Sequence, residues 1–328
     1  MTRWSPCIPF IILHDMFADF VALNACLILL TLAVDRITGD PRNAWHPVAL
    51  IGRFIGTWGR PEIYHYRSAR FFGIVMWVVT VLVFTLPFLF YQITAPWYLY
   101  LIPGALFAKF CISWRALEEH TLAVSAGLDH GIQQGRANAA LLVSRDTSIL
   151  DAEQVRSAGY ESLTENLVDS IISPLCFTAV FGMAGAALQR VANTMDAMLG
   201  YTDQRKELGW WSARADDVMN YIPARITGVI LLIYFWTKGR FHPALSVLRS
   251  DGRKRPGYNG GIPMAVMAGG IGVCFEKPGV YRIGIAERSL EEAGPEILKA
   301  SRVVVLLFSA FVIIALLLLQ QLLYSTGI

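Results

Sequence analysis

Within residues 160–177, YESLTENLVDSIISPLCF, Glu161, Glu165 and Asp169 stand at i, i+4 and i+8. A helix here puts them on one face, with Asn166 beside them. Like charges at that spacing repel, and the segment runs straight into an apolar stretch, where acids without a task are costly. On a free surface the carboxylates would simply be solvated. At a membrane edge, a hard cation such as Mg²⁺, held by one or two carboxylates and by substrate phosphates, would relieve the repulsion and explain the placement. Just upstream, GRANAALLVSRDTSILD supplies Arg136 and Arg145, which can grip phosphate bidentately. It also supplies Asp146, which can hold a cation or cap the next helix.

Three other polar constellations interrupt the chain. In DRITGDPRNAWHPVALIGRFIG, Gly39, Asp40 and Pro41 form a turn and His46-Pro47 begins a constrained stretch; a juxtamembrane turn with Trp45 as interface anchor is the plainer alternative. In NTMDAMLGYTDQRKELGWWSARADDVMNYIPARITG, Asn193 and Asp196 lie one turn apart, as do Asp217 and Asn220, and Asp216 and Asn220 are four apart, flanked by Arg214 and Arg225. An interfacial amphipathic helix accounts for Trp210 and Trp211 but not for adjacent aspartates. In RSDGRKRPGYNGGIPMAVMAGGIG, Arg253, Lys254 and Arg255 precede Gly257, Asn259, Gly260 and Gly261. That flexible backbone can bring N–H groups to a phosphate, or the run can serve membrane topology alone.

The elements that must position these groups are membrane helices. The 328 residues are 55% hydrophobic and only 16% charged, with a mean hydropathy of +0.47, so we expect an all-α, polytopic helical membrane bundle whose long polar linkers carry additional helices. Apolar runs fall at about 20–34, 71–92, 97–114, 171–188, 226–237 and 303–323. The second and last are long enough to cross, whereas the Gly- and Ala-rich 171–188 suits close packing or a re-entrant dip. Six arginines in 35–70 and the basic 238–302 put those linkers in the cytoplasm. Simple alternation of spans would put 190–225 outside despite its basic residues, unless 171–188 dips and returns. The expected organisation is an N-terminal extension, 1–18, and a single membrane-embedded domain, 19–328, in the cell (inner, cytoplasmic) membrane with its active site facing the cytoplasm.

Several chemistries are excluded. A net charge of +3, scattered between apolar runs, argues against a nucleic-acid partner. The five cysteines form no C-x-x-C pair and read as free thiols. No H-E-x-x-H, G-x-S-x-G or G-x-x-x-x-G-K-[ST] occurs.

In this order, DRITGDPRNAWHPVALIG, GRANAALLVSRDTSILD, YESLTENLVDSIISPL, NTMDAMLGY, ARADDVMNYIPARITG and YNGGIPMAVMAGGIGV resemble the adenosylcobinamide-phosphate synthase family of cobalamin biosynthesis, the CobD/CbiB family. The match runs colinearly from about residue 32 to about 284. Departures are Gly135 for an alanine, Ser144 for a glycine, and the loop Gly257–Gly261, which lacks the family's serine.

The resemblance implies a membrane ligase that forms an amide (C–N) bond between adenosylcobyric acid and (R)-1-aminopropan-2-ol or its O-phosphate, with ATP as substrate and Mg²⁺ as cofactor. Its partners would be that corrinoid, the aminopropanol phosphate, ATP and the lipid bilayer, within a homo-oligomer or a pathway complex. Carboxylate activation by ATP is mainly positioning and charge neutralisation. On that footing Glu161, Glu165, Asp169, Asp216 and Asp217 are expected to bind the metal, and Arg136, Arg145, Arg214, Arg225, Asn259 and Gly261 the phosphates. His46, Asp146, Glu165 and Asn166 are the expected catalytic residues, His46 or Asp146 accepting the amine proton. The alternatives are a transporter, a Mg²⁺-dependent membrane phosphotransferase or prenyltransferase, and a non-catalytic regulatory relative. The long uncharged run Val303–Leu323 argues against the transporter, and missing D-G-x-x-A-R and N-D-x-x-D motifs argue against the transferases.

Overall fold

The computed structural model describes residues 7–40 and 46–326; Pro41, Trp45 and the first six residues of the N-terminal extension lie outside them. Among the described residues there are thirteen α-helices: α1 (Cys7–Thr38), α2 (Pro47–Trp58), α3 (Tyr66–Thr94), α4 (Trp97–Lys109), α5 (Trp114–Asp129), α6 (Ile132–Ala139), α7 (Ala152–Leu167), α8 (Ser173–Leu199), α9 (Trp210–Met219), α10 (Tyr221–Thr237), α11 (Phe241–Asp251), α12 (Gly261–Ile271) and α13 (Leu290–Thr326). Ala18–Thr38 of α1, all of α3 and Leu290–Ser325 of α13 are apolar and long enough to cross a bilayer. Phe71, Leu82 and Phe90 on α3 and Phe311, Ile314 and Leu318 on α13 are exposed, as on helices whose solvent is lipid. The consecutive helices α9 and α10 also qualify when taken together, bent by 42°. This is the polytopic helical bundle expected from composition.

Length and composition would also admit Ala152–Leu199 as a span. Were it straight, Asp169 and Asp196 would lie about 40 Å apart at 1.5 Å per residue. Instead Gly182 takes φ 65° and ψ −151°, a region open essentially to glycine alone, and the chain doubles back. On the returning arm, the Gln189 side-chain amide donates to the Asp169 carbonyl at 3.0 Å. Helix α8 is therefore a helical hairpin with arms of about 15 and 25 Å, each shorter than the hydrocarbon core of about 30 Å. This is the dip and return considered for 171–188, and it keeps both ends of α8 on one side.

A backbone turned within a bilayer must find partners for the groups it frees. Gln92 of α3 donates to the Phe181 carbonyl at 3.2 Å and accepts the Ala184 N–H at 3.2 Å. Asn24 of α1 donates to the Ala179 carbonyl at 3.3 Å and accepts from the Tyr100 hydroxyl at 2.7 Å. A Cβ on residue 182 would stand 2.6 Å from both Gln92 Oε1 and the Tyr100 hydroxyl, so the tip is closed to other residues. Replacing Gln92 with Leu is expected to cost about 1–2 kcal/mol, read as a lowered thermal unfolding temperature in detergent.

The largest core cluster includes Leu163, Leu167, Met264, Met267, Leu298 and Phe308, which joins α7, α12 and α13. Helix α12 is buried along nearly its whole length, as its uniformly apolar sequence requires. The sequence reading contained no strand, yet β1 (Cys274–Lys277) and β2 (Tyr281–Gly284) pair antiparallel, with buried Phe275 opposite buried Ile283. Gly279, at φ 72°, makes the turn. The hairpin rests on α7, where the Ser157 hydroxyl accepts the Glu276 N–H at 2.7 Å.

Candidate active site

Helix α7 opens with a reciprocal capping box between Asp151 and Gln154 and closes in a π-bulge, Val168–Ile172, that contains Asp169. Such a bulge frees carbonyls, and these are answered from other elements. Gln189 takes that of Asp169, and the Ser113 N–H takes that of Ser170 at 3.1 Å. The bulge is thus pinned by the returning arm of α8 and by the turn between α4 and α5.

Glu165 and Asp169 open into a cavity of about 280 Å³ that is also lined by Asp196 of α8 and by Asp216 and Asp217 of α9. Five carboxylates therefore face one space. Asp169 feels the charges of Asp216, Glu165 and Asp196, and Asp196 those of Asp217 and Glu165. The Asp216 carboxylate is oriented by Asn220, whose Nδ2 donates at 2.8 Å, and by Asn193 at 3.5 Å. Arg255 brings a guanidinium to the same cavity.

A second cavity, of about 460 Å³, adjoins the first and shares Glu165, Arg255 and Pro256 with it. Arg145, Asn166, Lys277 and Tyr281 are on its wall. Here Glu161, 1% exposed, has both oxygens engaged: Arg145 donates at 2.7 and 3.3 Å, the Ser157 hydroxyl at 2.7 Å and the Tyr281 hydroxyl at 2.6 Å. Burial and the Glu161 charge push the Tyr281 phenol well above its ordinary pKa, so it remains a proton donor. The shared face of α7 thus passes from Glu161 in the larger cavity, through Glu165 on the boundary, to Asp169 in the acidic one.

Between the cavities Arg255 donates a hydrogen bond to Glu165 and another to the Pro256 carbonyl, the latter at 2.8 Å. Burial pulls the Arg255 guanidinium pKa down, but Glu165, Tyr281 and Asp169 outweigh it and hold it above its usual value. The glycine-rich loop, expected to offer backbone N–H groups to a ligand, is moulded round this side chain. A Cβ on Gly260 would lie 2.9 Å from Arg255 Cζ, and Gly257 adopts φ 98°. Gly261 starts α12 so close to the Gly252 carbonyl that a Cβ would stand 2.3 Å from it. Asn259 fastens the loop to α9 by donating to the Asp217 carbonyl at 2.9 Å, and its own oxygen accepts from Arg225 at 3.0 Å. Arg225 stacks on Tyr221 at 3.3 Å, while exposed Arg214 faces Tyr258 at 6.0 Å.

Six expected site residues line neither cavity: Arg214, Arg225 and Gly261, placed above, and Arg136, Asp146 and His46. Arg136 donates to the Leu150 carbonyl at 2.8 Å, and its own carbonyl accepts from the Thr147 hydroxyl at 3.0 Å, so it shapes the turn carrying Arg145. Asp146 is exposed on that turn; hydrogen bonds from Ser148 hold its carboxyl below the usual range. His46 caps α2, its Nδ1 accepting the Val48 N–H at 3.3 Å, with Nε2 3.8 Å from Asp40. Asp40 also lies 2.9 Å from the buried ammonium of Lys109. Burial pushes the Asp40 carboxyl up, but the neighbouring His46 and the Lys109 ammonium outweigh it and hold it below its usual value.

Asp196, Arg255, Lys277 and Tyr281 were not among the expected site residues. Asp196 had a signal, because it stands in NTMDAMLGY, and Arg255 stood in a basic run that also reads as topological.

Fold and site together define a multi-pass helical membrane protein whose polar segments gather into a charged pocket. A family model described as CobD/Cbib protein matches residues 28–321, and the chain belongs to the CobD/CbiB family. It is 38% identical over 261 residues to the "Probable cobalamin biosynthesis protein CobD" of Methanothermobacter thermautotrophicus, covering 79% of this chain and 86% of the relative. The "Cobalamin biosynthesis protein CobD" of Dehalococcoides mccartyi is 36% identical over 268 residues, 79% and 86% of the two chains. A further "Probable cobalamin biosynthesis protein CobD", from Thermococcus kodakarensis, is 36% identical over 297 residues, 89% and 94% of the two. No solved structure matches the chain.

Proposed function

We propose that this protein acts in cobalamin biosynthesis as an ATP- and Mg²⁺-dependent ligase, joining a corrinoid carboxylate to aminopropanol or its phosphate through an amide bond. The family assignment supports the pathway. The observation that carries the chemistry is the acidic cavity, whose five carboxylates abut a second cavity bearing Arg145, Arg255 and Lys277. A carboxylate attacks the γ-phosphorus of ATP, releasing ADP and giving an acyl phosphate, and the amine then displaces phosphate and gives up a proton; both steps need anions brought together and water kept out.

The donor set fits Mg²⁺. It is all oxygen, it carries excess negative charge, and among the described residues no three His, Cys, Asp or Glu groups close into a cage. That suits an ion held by one or two carboxylates, water and substrate phosphates. One or two of Glu165, Asp169, Asp196, Asp216 and Asp217 would hold the metal, which when bound supplies charge neutralisation at the transferring phosphoryl group. Arg145 and Arg255 would orient phosphoryl oxygens through their fork of N–H donors, and Lys277 would add a point charge. A carboxylate of the acidic cavity would accept the proton released by the amine. The partners of Glu161 suit a residue that orients Arg145 better than a metal ligand.

The test is to incubate purified protein with a corrinoid carboxylate, aminopropanol phosphate, ATP and Mg²⁺, and to seek the amide product by mass spectrometry. Product should vanish with EDTA and return with added Mg²⁺. Turnover without nucleotide, or unchanged in EDTA, would remove the ligase reading.

A further inference from the structure

The Arg255 side chain stands on the wall between two cavities of opposite character, and its surroundings are built to keep it there. On one side are Asp169, Asp196, Asp216 and Asp217; on the other are Arg145 and Lys277, with Glu161 bound to Arg145. The Arg145 guanidinium is already committed to Glu161. Lys277, half-buried, points no ion pair or hydrogen bond at any described residue. Arg255 itself is held by Glu165 and the Pro256 carbonyl, inside a loop whose glycines leave room for the guanidinium and for no Cβ. Glu165, 31% exposed, is the carboxylate common to both cavities. An ion pair placed there blocks two ligands at once, since each partner is what a ligand of the neighbouring cavity would need.

We infer that the Glu165–Arg255 pair is an exchangeable latch between an anion subsite at Arg145, Lys277 and Arg255 and a cation subsite in the acidic cavity. A phosphoryl-bearing ligand entering the larger cavity draws Arg255 to itself, and the released Glu165 carboxylate then serves the divalent cation. Each ligand therefore tightens the other's binding, because both require the same pair to open. Arg255 is a ligand-binding residue and Glu165 its counterweight. The inference rests on the reading of the site as one for a cation and a phosphoryl group, and it adds the order in which they become compatible.

Binding alone tests it, with full-length protein in detergent, Mn²⁺ as cation probe followed by electron paramagnetic resonance, and methyl phosphate as anion probe. In the native protein, saturating methyl phosphate should tighten Mn²⁺ binding at least fivefold, the lower end of the roughly 5- to 150-fold range for coupled sites. Arg255→Gln should bind Mn²⁺ at least fivefold more tightly than the native protein without methyl phosphate, and methyl phosphate should then change nothing. A merely structural arginine gives the opposite sign. Should Arg255→Gln fail to fold, Glu165→Gln offers the mirror measurement: methyl phosphate should bind it more tightly than the native protein by titration calorimetry. The inference is overturned if methyl phosphate leaves native Mn²⁺ affinity unchanged, if the native protein binds no Mn²⁺, or if Arg255→Gln binds Mn²⁺ no more tightly. These assays contain neither nucleotide nor amine. Coupling without amide synthesis would therefore sink only the ligase reading, and amide synthesis without coupling only the latch.

Discussion

Glu165→Gln should lose at least a hundredfold in kcat for amide formation while unfolding at close to the native temperature. Two features set that split. The Glu165 carboxylate is the one shared by both cavities, so an isosteric amide removes a negative charge where the proposed cation and phosphoryl group would meet. Loss of a single preorganised electrostatic group at a reacting centre costs about 10²–10³ in rate. Stability, by contrast, has little to lose. The side chain is 31% exposed, it pairs with Arg255, and such partly solvated pairs contribute about 0–1 kcal/mol. Product yield by mass spectrometry and thermal unfolding in the same detergent check the two halves. Native turnover in this variant would remove Glu165 from the site.

How much of this could be read beforehand differs from one element to the next. Helices α3 and α13 were legible because a twenty-residue apolar run has few other uses. The α8 hairpin was legible in outline, from its glycines and from the basic residues that follow it. What holds its tip was not, since Asn24, Gln92 and Tyr100 come from three other segments and meet Gly182 only in the fold. The β-hairpin was missed because its strands have four residues each and a period-two pattern that short does not stand out. In the site, the spacing of Glu161, Glu165 and Asp169 correctly put them on one helix face. Spacing cannot show that the face crosses a boundary. Glu161 lies beyond it, where Arg145, Ser157 and Tyr281 claim its oxygens. Arg255 was hidden by context, because a basic run beside a membrane helix satisfies the topology rule whatever its third member does.

The sharpest contrast to Glu165 is another glutamate at a helix junction. Glu118 of α5 is 3% exposed and accepts from Trp114 Nε1 at 2.8 Å, from Arg36 at 3.0 Å, and from Arg302 at 2.9 to 3.1 Å. It thereby ties α1, α5 and α13 at one point, and it lines neither cavity. Glu118→Ala should lower stability by about 2–3 kcal/mol. Breaking a buried pair by removing one partner costs about 3–5 kcal/mol, but the side chains of Arg36 and Arg302 are 38% and 47% exposed and can turn to water. The indole N–H of Trp114 stays buried and unpaired, a penalty of about 1–3 kcal/mol by itself. Thermal unfolding in detergent gives the loss, and amide formation per folded molecule, assayed below the unfolding temperature, should stay within about twofold of native, since a 1.4 kcal/mol change in barrier is needed for a factor of ten. A Glu118→Ala protein as stable as the native one would mean that the junction is held by apolar packing alone. The two glutamates are expected to fail in opposite ways, Glu165 in rate and Glu118 in fold, because only Glu118 has its oxygens already taken by donors from three helices.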